Sequence, residues 1–315
     1  MELSSARSLW ASKSEPPELR RHHILIKGHT NMRTVVITGV STGIGHAAAK
    51  VMIGRGFRVF GSVRNSADAE RVQAELGEKF APLIFDVVDT QAIAEAANCV
   101  REALAGGTLA GLVNNAGIAV SGPLLEVPES DYRKQLEVNL MGPFLVTQAF
   151  APLLGADPTL QGPPGRIVNI SSVSGIRAMP FLGPYSASKF GLEGYSDSLR
   201  RELMLFGIDV IVIGPGPVKT AIWDKAEEVD MEQYVASPYR PMLERFQKVF
   251  ITQGRDGYPA DRLGELIYTA LSTAKPKARY AAVKGRMMEK LMMKIASPRM
   301  LDKAIAKMLG LNKKA

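Results

Sequence analysis

The sequence is poor in cysteine and has no long hydrophobic run. Cys99 is the only cysteine among 315 residues, which excludes an intrachain disulfide and fits a reducing compartment. No stretch reaches the roughly 18 consecutive apolar residues that a membrane-spanning helix needs. We therefore expect neither a disulfide scaffold nor a spanning helix, and we expect a cytoplasmic location.

Patterns for binding metal and nucleic acid are also missing. The four histidines (His22, His23, His29 and His46) lack metal-ligand spacing with carboxylates or thiols, so we expect no metal. The C-terminal tail contains one aromatic residue, Tyr280, and therefore has no series of rings on which bases could stack. We expect no nucleic-acid partner.

Positive charge is concentrated at the C-terminal end. The net charge is +8, and residues 275–315 hold twelve Lys and Arg against two Asp and Glu. Residues 1–31 add a net charge of +2, so residues 32–274 are net acidic. We expect residues 1–31 to be a disordered extension outside the fold, or to precede a natural start at Met32.

The basic tail, residues 275–315, carries two amphipathic segments separated by Pro298. Apolar residues recur at helical spacing between basic ones at Met287, Met288, Leu291, Met292 and Ile295, and again at Leu301, Ile305, Met308 and Leu309. Basic amphipathic helices bind anionic membrane surfaces, which would make the contact with the membrane peripheral. The alternative is that both faces pack on the body of the protein or on a second subunit and cover an apolar pocket.

Short apolar runs alternate with helical patterns through residues 32–274. The runs that indicate strands are Val35–Ile37, Leu83–Phe85, Gly111–Val113 and Val210–Ile213. Near-continuous apolar strands are typical of a parallel sheet covered on both faces, and alternation with helices indicates one doubly wound domain. The predicted fold class is α/β: a Rossmann-type, three-layer αβα single domain with a C-terminal helical extension.

A glycine-rich turn follows the first strand pattern. Residues 34–45 have the sequence TVVITGVSTGIG, and a helical stretch from His46 to Arg55 comes next. Glycine lets the backbone approach a pyrophosphate, and the helix N-terminus offers free N–H groups. The predicted cofactor-binding residues of this turn are Gly39, Ser41, Thr42, Gly43, Ile44 and Gly45.

A tyrosine and a lysine form a second informative pattern. Tyr185 and Lys189 occupy positions i and i+4, which share one face of a helix, and Ser172 lies thirteen residues before the tyrosine. A lysine cation beside a phenol favours the phenolate, so we expect the pKa of Tyr185 to be lowered from about 10. Such a tyrosine can exchange a proton with an alcohol or a ketone near neutral pH.

Together these motifs resemble the short-chain dehydrogenase/reductase family. They appear in the order of that family within residues 33–220, as TGxxxGxG, Asn114–Gly117, Asn139, Ser172 and YxxxK. The three-residue gap between the first two glycines is similar to the compact branch. The long segment 220–258 and the helical tail look like the hydroxysteroid and retinol dehydrogenase members.

The resemblance implies a catalytic set of four residues. Tyr185 would be the general acid in reduction and the general base in oxidation, and Lys189 would assist it and bind the nicotinamide ribose. Ser172 would orient the substrate carbonyl, and Asn139 would hold a water on the proton path. No motif residue is missing, which favours an enzyme over the alternative of a catalytically silent NADP(H)-binding sensor or scaffold.

Further cofactor contacts follow from the same resemblance. They are Asp86 and Val87 near the adenine, Asn115, Ala116 and Gly117 after the fourth strand, and Pro215, Val218 and Thr220 near the nicotinamide carboxamide. Val63 occupies the place of the acidic residue that selects NAD, and Arg64 follows it. A guanidinium can clamp a 2′-phosphate, so the predicted cofactor is NADP(H); alternatively, Arg64 only keeps the turn soluble.

The expected substrate is a lipophilic alcohol or carbonyl compound. Residues 220–258 would cover it, and they contain Trp223, Tyr234, Tyr239 and Phe246. Aromatic lining suits a lipophilic ligand, although these residues could instead pack the segment onto the body. The resemblance also implies a homo-oligomer, a dimer or tetramer, formed through helices that include the YxxxK helix.

Overall fold

A seven-stranded parallel sheet forms the centre of the protein. The computed structural model describes residues 32–220, 231–283 and 297–311. In chain order the sheet strands are β1 (Thr34–Ile37), β2 (Arg58–Val63), β3 (Phe80–Ile84), β4 (Gly111–Asn114), β5 (Arg166–Ile170), β6 (Asp209–Pro215) and β9 (Arg279–Ala282). Their spatial order is β3-β2-β1-β4-β5-β6-β9, and a separate small sheet pairs β7 (Val218–Lys219) with β8 (Tyr258–Pro259).

Helices connect the strands and cover both faces of the sheet. They are α1 (Gly43–Gly54), α2 (Ser66–Leu76), α3 (Thr90–Leu104), α4 (Glu129–Leu136), α5 (Gly142–Phe150), α6 (Gly183–Glu202), α7 (Arg240–Arg255), α8 (Ala260–Ser272) and α9 (Pro298–Leu309). A wider helical turn at Glu137–Met141 joins α4 to α5. The predicted helix after the glycine turn is confirmed, and it begins at Gly43.

Two apolar layers lie between the sheet and these helices. One packs strand residues such as Val35 against Met52 of α1 and Ile267 of α8. The other packs the opposite face, including Val36, against α3 and Phe150 of α5. Because both faces of each central strand are buried, the near-continuous apolar runs are explained, and the predicted three-layer α/β fold is confirmed.

A third apolar cluster lies outside the sheet and is called the cap cluster here. Its buried members are Phe181, Leu182, Tyr234, Leu243, Phe246 and Leu309. Leu309 belongs to the basic tail yet has 0% of its surface exposed, so for residues 297–311 the face along Leu301, Ile305 and Leu309 packs on the body. Met308, expected on that face, is 44% exposed.

The sheet continues past residue 274, where the sequence placed the end of the domain. Strand β9 pairs with β6 in the register Val212 to Arg279, so the first part of the basic tail is the edge of the sheet. Residues 1–31, the amphipathic segment at 284–296 and Trp223 lie outside the described residues. Within the described ranges, no helix is long and apolar enough to cross a bilayer.

Candidate active site

The glycine-rich turn after β1 sits where the strand order changes direction, between β1 and β4. Ligands of doubly wound sheets bind at this crevice, at the carboxyl ends of the strands. Gly39 and Gly43 have φ values of 70° and 66°, which L side chains rarely adopt. A Cβ on Gly45 would overlap the Gly39 carbonyl oxygen and the Asn115 side-chain nitrogen. The turn is therefore closed tightly enough that only glycine fits.

The N-terminus of α1 fits an anion. Thr42 precedes the helix, but its side chain makes no capping hydrogen bond, and the first turn contains no acidic residue. The free N–H groups and the positive end of the helix dipole therefore face the crevice uncompensated by side chains. Ser41, Thr42 and Ile44 would hold a dinucleotide pyrophosphate here.

The segment after β4 braces the glycine turn. The Thr38 hydroxyl oxygen accepts hydrogen bonds from the backbone N–H groups of Asn115 (2.9 Å) and Ala116 (3.0 Å). The Asn115 side-chain nitrogen donates to the carbonyl oxygens of Thr38 (2.9 Å) and Gly39 (3.0 Å). Asn115 and Ala116 therefore shape the predicted cofactor site. Thr38 shares this role, which the sequence did not indicate for it.

A chain of buried side-chain hydrogen bonds stabilises the sheet beside this segment. The Asn114 side-chain nitrogen donates to Thr147 Oγ1 (3.1 Å) and to Asn169 Oδ1 (2.9 Å). The Asn169 amide in turn donates to Ser196 Oγ at 2.9 Å. Hydrogen-bonded polar groups in a dry core fix the register of their strands. Asn114 is thus structural, whereas Asn115 faces the turn.

Val63 and Arg64 end β2 on the adenosine side of the crevice. Val63 is 3% exposed and packs in the core, whereas Arg64 is exposed. Asn65 caps α2, because its side chain accepts from the Asp68 N–H at 2.8 Å. This turn leaves the Arg64 side chain exposed, near enough to Asp68 for its charge to act on that carboxylate.

Arg71 is a contact of the glycine turn that the sequence analysis missed. One of its terminal nitrogens donates to the Ser41 carbonyl oxygen at 2.9 Å and to Asp68 Oδ1 at 2.7 Å. The hydrogen bond from Arg71 is the main cause of a lowered pKa at Asp68, and the charge of Arg64 adds to it. The spacing of Asp68, Arg71 and Glu75 at i, i+3 and i+7 was the available signal.

The remaining predicted cofactor contacts lie at or just after the ends of strands β3, β6 and β7. Asp86 follows β3 and accepts from the Val88 N–H at 3.2 Å, while Val87 is buried against α5. Pro215 ends β6, and Val218 lies in β7. A Cβ on Gly43 would lie 3.4 Å from the Thr220 methyl, so the structure brings the end of β7 beside the glycine turn.

Ser172 and Tyr185 share a hydrogen bond. Ser172 begins the turn Val173–Gly175, and its hydroxyl oxygen accepts from the Ser174 N–H at 3.1 Å, which fixes its orientation. Burial raises the pKa of the Tyr185 phenol, and the Ser172 hydrogen bond only partly offsets that effect. The expectation of a lowered tyrosine pKa is therefore wrong for this environment, because lost hydration of the phenolate outweighs the favourable contacts.

Lys189 is buried one turn after the tyrosine. Its ammonium nitrogen donates to the Ile170 carbonyl oxygen at 2.9 Å and lies 5.7 Å from the centre of the Tyr185 ring. The residue is 5% exposed. Burial lowers the pKa of Lys189 to about 8, against the opposing charge of Glu193. The ammonium is thus held at the end of β5, beneath the tyrosine.

Asn139 is buried and not on the helix surface. It lies in the wide turn Glu137–Met141 and is 1% exposed. Its side chain accepts from the Ile118 N–H at 2.8 Å and donates to the Ile118 carbonyl oxygen at 2.9 Å. It also donates to Ser188 Oγ at 3.3 Å, and that hydroxyl donates to the Tyr185 carbonyl oxygen at 2.7 Å. Asn139 therefore links the loop containing Gly117 to the helix that carries the tyrosine.

The cap cluster adjoins the catalytic candidates. Tyr185 packs against it, and Phe181 forms an edge contact with Tyr239 and a tilted contact with Phe246, at centroid distances of 6.2 and 5.7 Å. Phe246 stacks on Phe250 at 5.0 Å. Aromatic side chains from two segments, the loop before α6 and α7 with its N-terminal cap, thus build an apolar wall beside the tyrosine.

Comparison with protein-family models gives one match, described as short chain dehydrogenase, over residues 33–230. The NADPH-dependent 3-dehydrocapnine reductase of Ornithobacterium rhinotracheale is 38% identical over 276 residues, which cover 88% of this chain and 97% of the relative. Retinol dehydrogenase 16 of Mus musculus is 34% identical, with 82% of each chain covered.

Another relative and a solved structure are also dehydrogenases. The 17-beta-hydroxysteroid dehydrogenase type 6 of Bos taurus is 33% identical over 82% of each chain. Among solved structures, a short-chain dehydrogenase from Streptomyces avermitilis superposes with a TM-score of 0.69, covering 90% of this chain and 99% of that one. At 24% identity, that likeness supports the fold alone.

Proposed function

Because this chain belongs to the short-chain dehydrogenase family, we propose that it interconverts a lipophilic alcohol and its ketone or aldehyde, with NADP(H) as cofactor. Oxidoreduction between alcohols and carbonyls is the general chemistry of its relatives. The observation that carries the finer proposal is the hydrogen bond of Tyr185 with Ser172 above the buried Lys189. These three groups provide a proton donor, an orienting hydroxyl and a cation at one place.

The residues support the following mechanism for reduction. When bound, the reduced nicotinamide supplies a hydride for the carbonyl carbon. Ser172 donates a hydrogen bond to the carbonyl oxygen and holds it within reach of the tyrosine. Tyr185, kept protonated at neutral pH by its raised pKa, gives its phenolic proton to that oxygen. The protonated phenol is the form of Tyr185 that can act as the general acid of reduction.

Lys189 and Asn139 have supporting roles. The Lys189 ammonium, charged below its pKa of about 8, stabilises the phenolate that remains after proton transfer. The Asn139 side chain is engaged by Ile118 and Ser188, so its role is to position α6 and the loop after β4. These contacts account for a structural contribution of Asn139, in addition to the water that the family resemblance implies.

The preference for NADP(H) rests on the end of β2. Val63 cannot accept a hydrogen bond from a ribose 2′-hydroxyl, and the exposed Arg64 offers a guanidinium for a 2′-phosphate. Arg71 adds rigidity, because it fixes the Ser41 carbonyl and Asp68 on the same side of the crevice. A relative that is 38% identical is named as NADPH-dependent, which agrees with this preference.

The cap cluster supports a lipophilic substrate. Its wall beside Tyr185 consists of Phe181, Phe246 and other apolar side chains, and α9 contributes Leu309. Two relatives are named for retinol and for a hydroxysteroid, which are lipophilic alcohols. Within the proposal, α7 and α9 cover the substrate while α6 supplies the tyrosine.

The same proposal includes self-association and contact with a membrane surface. Met141 and Phe190, on the α5 and α6 side, are 45% and 47% exposed, which suits a homo-oligomer through these helices. Met300, Met308, Lys303 and Lys307 lie on the exposed side of α9, which suits peripheral contact with anionic lipid. Size-exclusion chromatography with light scattering and flotation with anionic vesicles test these two points.

The proposed function is tested by measuring NADPH consumption with steroid, retinoid, aliphatic and aromatic carbonyl compounds, with NADH in parallel. Turnover with NADPH on one class supports the proposal and narrows the substrate. Tight binding of NADPH with no turnover on any class would favour a catalytically silent sensor or scaffold. Equal turnover with NADH would contradict the role of Arg64.

A further inference from the structure

A buried carboxylate lies beneath the catalytic residues and has no part in the mechanism described so far. Glu193 is four residues after Lys189 and eight after Tyr185, so the three side chains share one face of α6. Glu193 is 8% exposed. A buried carboxylate requires a partner, because an unpaired charge in the interior has lost its hydration without compensation.

Arg279 at the start of β9 provides that partner. Its guanidinium forms a close ion pair with Glu193 and lies 3.9 Å from Asp197, which is also 3.6 Å from Arg200. Glu193 is nearly buried, whereas Arg279 is half exposed at 46%. The ion pair therefore joins the edge strand of the sheet to the catalytic helix, with the negative charge on the inner side.

Glu193 also packs under the turn that carries Ser172. A Cβ added to Gly175 would lie 3.0 Å from Glu193 Cγ and 3.0 Å from the Lys189 carbonyl oxygen. The turn Val173–Gly175 and the end of β5 bring no charged side chain to this place. The charge that acts on the Lys189 ammonium is Glu193 from its own helix, and Arg279 acts through its ion pair with Glu193; the Tyr185 phenol is the other titratable group beside the ammonium.

We propose that Glu193 is a positioning residue that keeps the Lys189 ammonium charged during turnover, and that Arg279 limits its effect. The inference rests on the proposed function, because it concerns the charge beneath Tyr185. Among the described residues the ammonium donates to the Ile170 carbonyl oxygen, so Glu193 acts on it through its charge from one helical turn away and not through a direct ion pair. With Glu193 unrestrained by Arg279, the cation would be stabilised more strongly.

The test is the pH dependence of reduction in four variants. Glu193→Gln keeps the shape and removes the charge, so the alkaline midpoint of kcat/KM should move to lower pH by roughly one unit. Arg279→Gln should move it to higher pH, Glu193→Asp should retain the wild-type midpoint, and Glu202→Gln, at the exposed C-terminal end of α6, is the matched control that should not shift. The NADPH dissociation constant, measured by cofactor fluorescence over the same pH range, provides a readout without turnover.

The outcomes separate this inference from the proposed function. If Glu193→Gln lowers kcat/KM by the same factor at every pH and leaves the midpoint unchanged, Glu193 has only a structural role. That result would overturn the inference. A shift of the alkaline midpoint of Arg279→Gln to lower pH would overturn it as well. This result can be obtained even if Glu193→Gln fails to fold. A wild-type protein that turns over no carbonyl refutes the proposed function instead, and the binding profiles then decide the role of Glu193.

Discussion

The two sides of the candidate active site are built in different ways. The dinucleotide side consists of backbone and small residues: Gly39, Gly43 and Gly45 close the turn, and Thr38 and Asn115 brace it at 2.9–3.0 Å. The substrate side consists of large side chains from α6, α7, α9 and the loops between them. On the first side an added methyl group would overlap neighbouring atoms, whereas on the second side the removal of a side chain would leave a cavity.

The difference concerns how each side tolerates change. Backbone contacts at the glycine turn fix one geometry, so this side has little freedom to change. Apolar side chains of the cap cluster can be exchanged for others of different volume at modest cost, provided that the cavity stays filled. The substrate side is therefore where relatives can differ, and the predictions below test each side in turn.

The largest effect is expected for Gly45→Ala. A Cβ there would overlap backbone of Gly39 and the Asn115 amide, so we expect a loss of roughly 4 kcal/mol in the free energy of unfolding and loss of NADPH binding. Gly54→Ala in the same helix is the control, because nothing lies within 4 Å of its Cβ, and it should stabilise by about 0.5 kcal/mol. Urea denaturation and cofactor fluorescence measure both; equal behaviour of the two variants would refute the account of the turn.

On the substrate side, Leu309→Ala removes a fully buried side chain of the cap cluster. The cavity should cost about 3 kcal/mol in the free energy of unfolding and raise kcat/KM for bulkier substrates relative to smaller ones. Met308→Ala, on the exposed side of the same helix, should change neither quantity. If Leu309→Ala lowers stability but leaves the size preference unchanged, α9 packs on the body without bordering the substrate.

Lys189→Met tests the buried cation between the two sides. The pKa of Lys189 is lowered by burial from 10.5 to about 8, so its folded form binds a proton less readily than its unfolded form between these pH values. The contribution of Lys189 to stability therefore rises with pH from about 8 to 10.5 and is lost as the pH falls through 8. Relative to wild type, the methionine variant should lose about 2–3 kcal/mol between pH 7 and 11. A constant difference in the free energy of unfolding would contradict the lowered pKa.

The smallest effect is expected for Arg64→Ala. Removal of the guanidinium should weaken NADPH binding about tenfold, or about 1.4 kcal/mol, and leave NADH binding unchanged. Because Val63 is 3% exposed, Val63→Asp would bury a carboxylate, and the exposed Arg64 is the cleaner position for this experiment. Lys50→Ala, an exposed cation on α1, controls for the general loss of positive charge.

The sequence predicted the strand, glycine turn and helix of the dinucleotide side well because their requirements are local. Strand, glycine turn and helix are contiguous from Thr34 to Gly54, and each glycine has a steric reason. The pKa direction at Tyr185 was wrong because burial depends on residues far along the chain. Leu309 could be placed on a helix face, but its contact with α7 is a tertiary fact that no local pattern contains. The charge spacing around Arg71 indicated ion pairs within α2, but the contact of Arg71 with the Ser41 carbonyl oxygen is tertiary and follows from no local pattern.

The most direct test of the central claim is a single-turnover measurement on the NADPH-loaded protein. Tyr185→Phe should slow the loss of NADPH absorbance about a thousandfold while binding NADPH with wild-type affinity, because it lacks only the proton that the carbonyl oxygen needs. Tyr195→Phe, at a half-buried tyrosine of α6 whose pKa is also raised by burial, should retain its rate. A Tyr185→Phe rate equal to that of Tyr195→Phe would contradict the account.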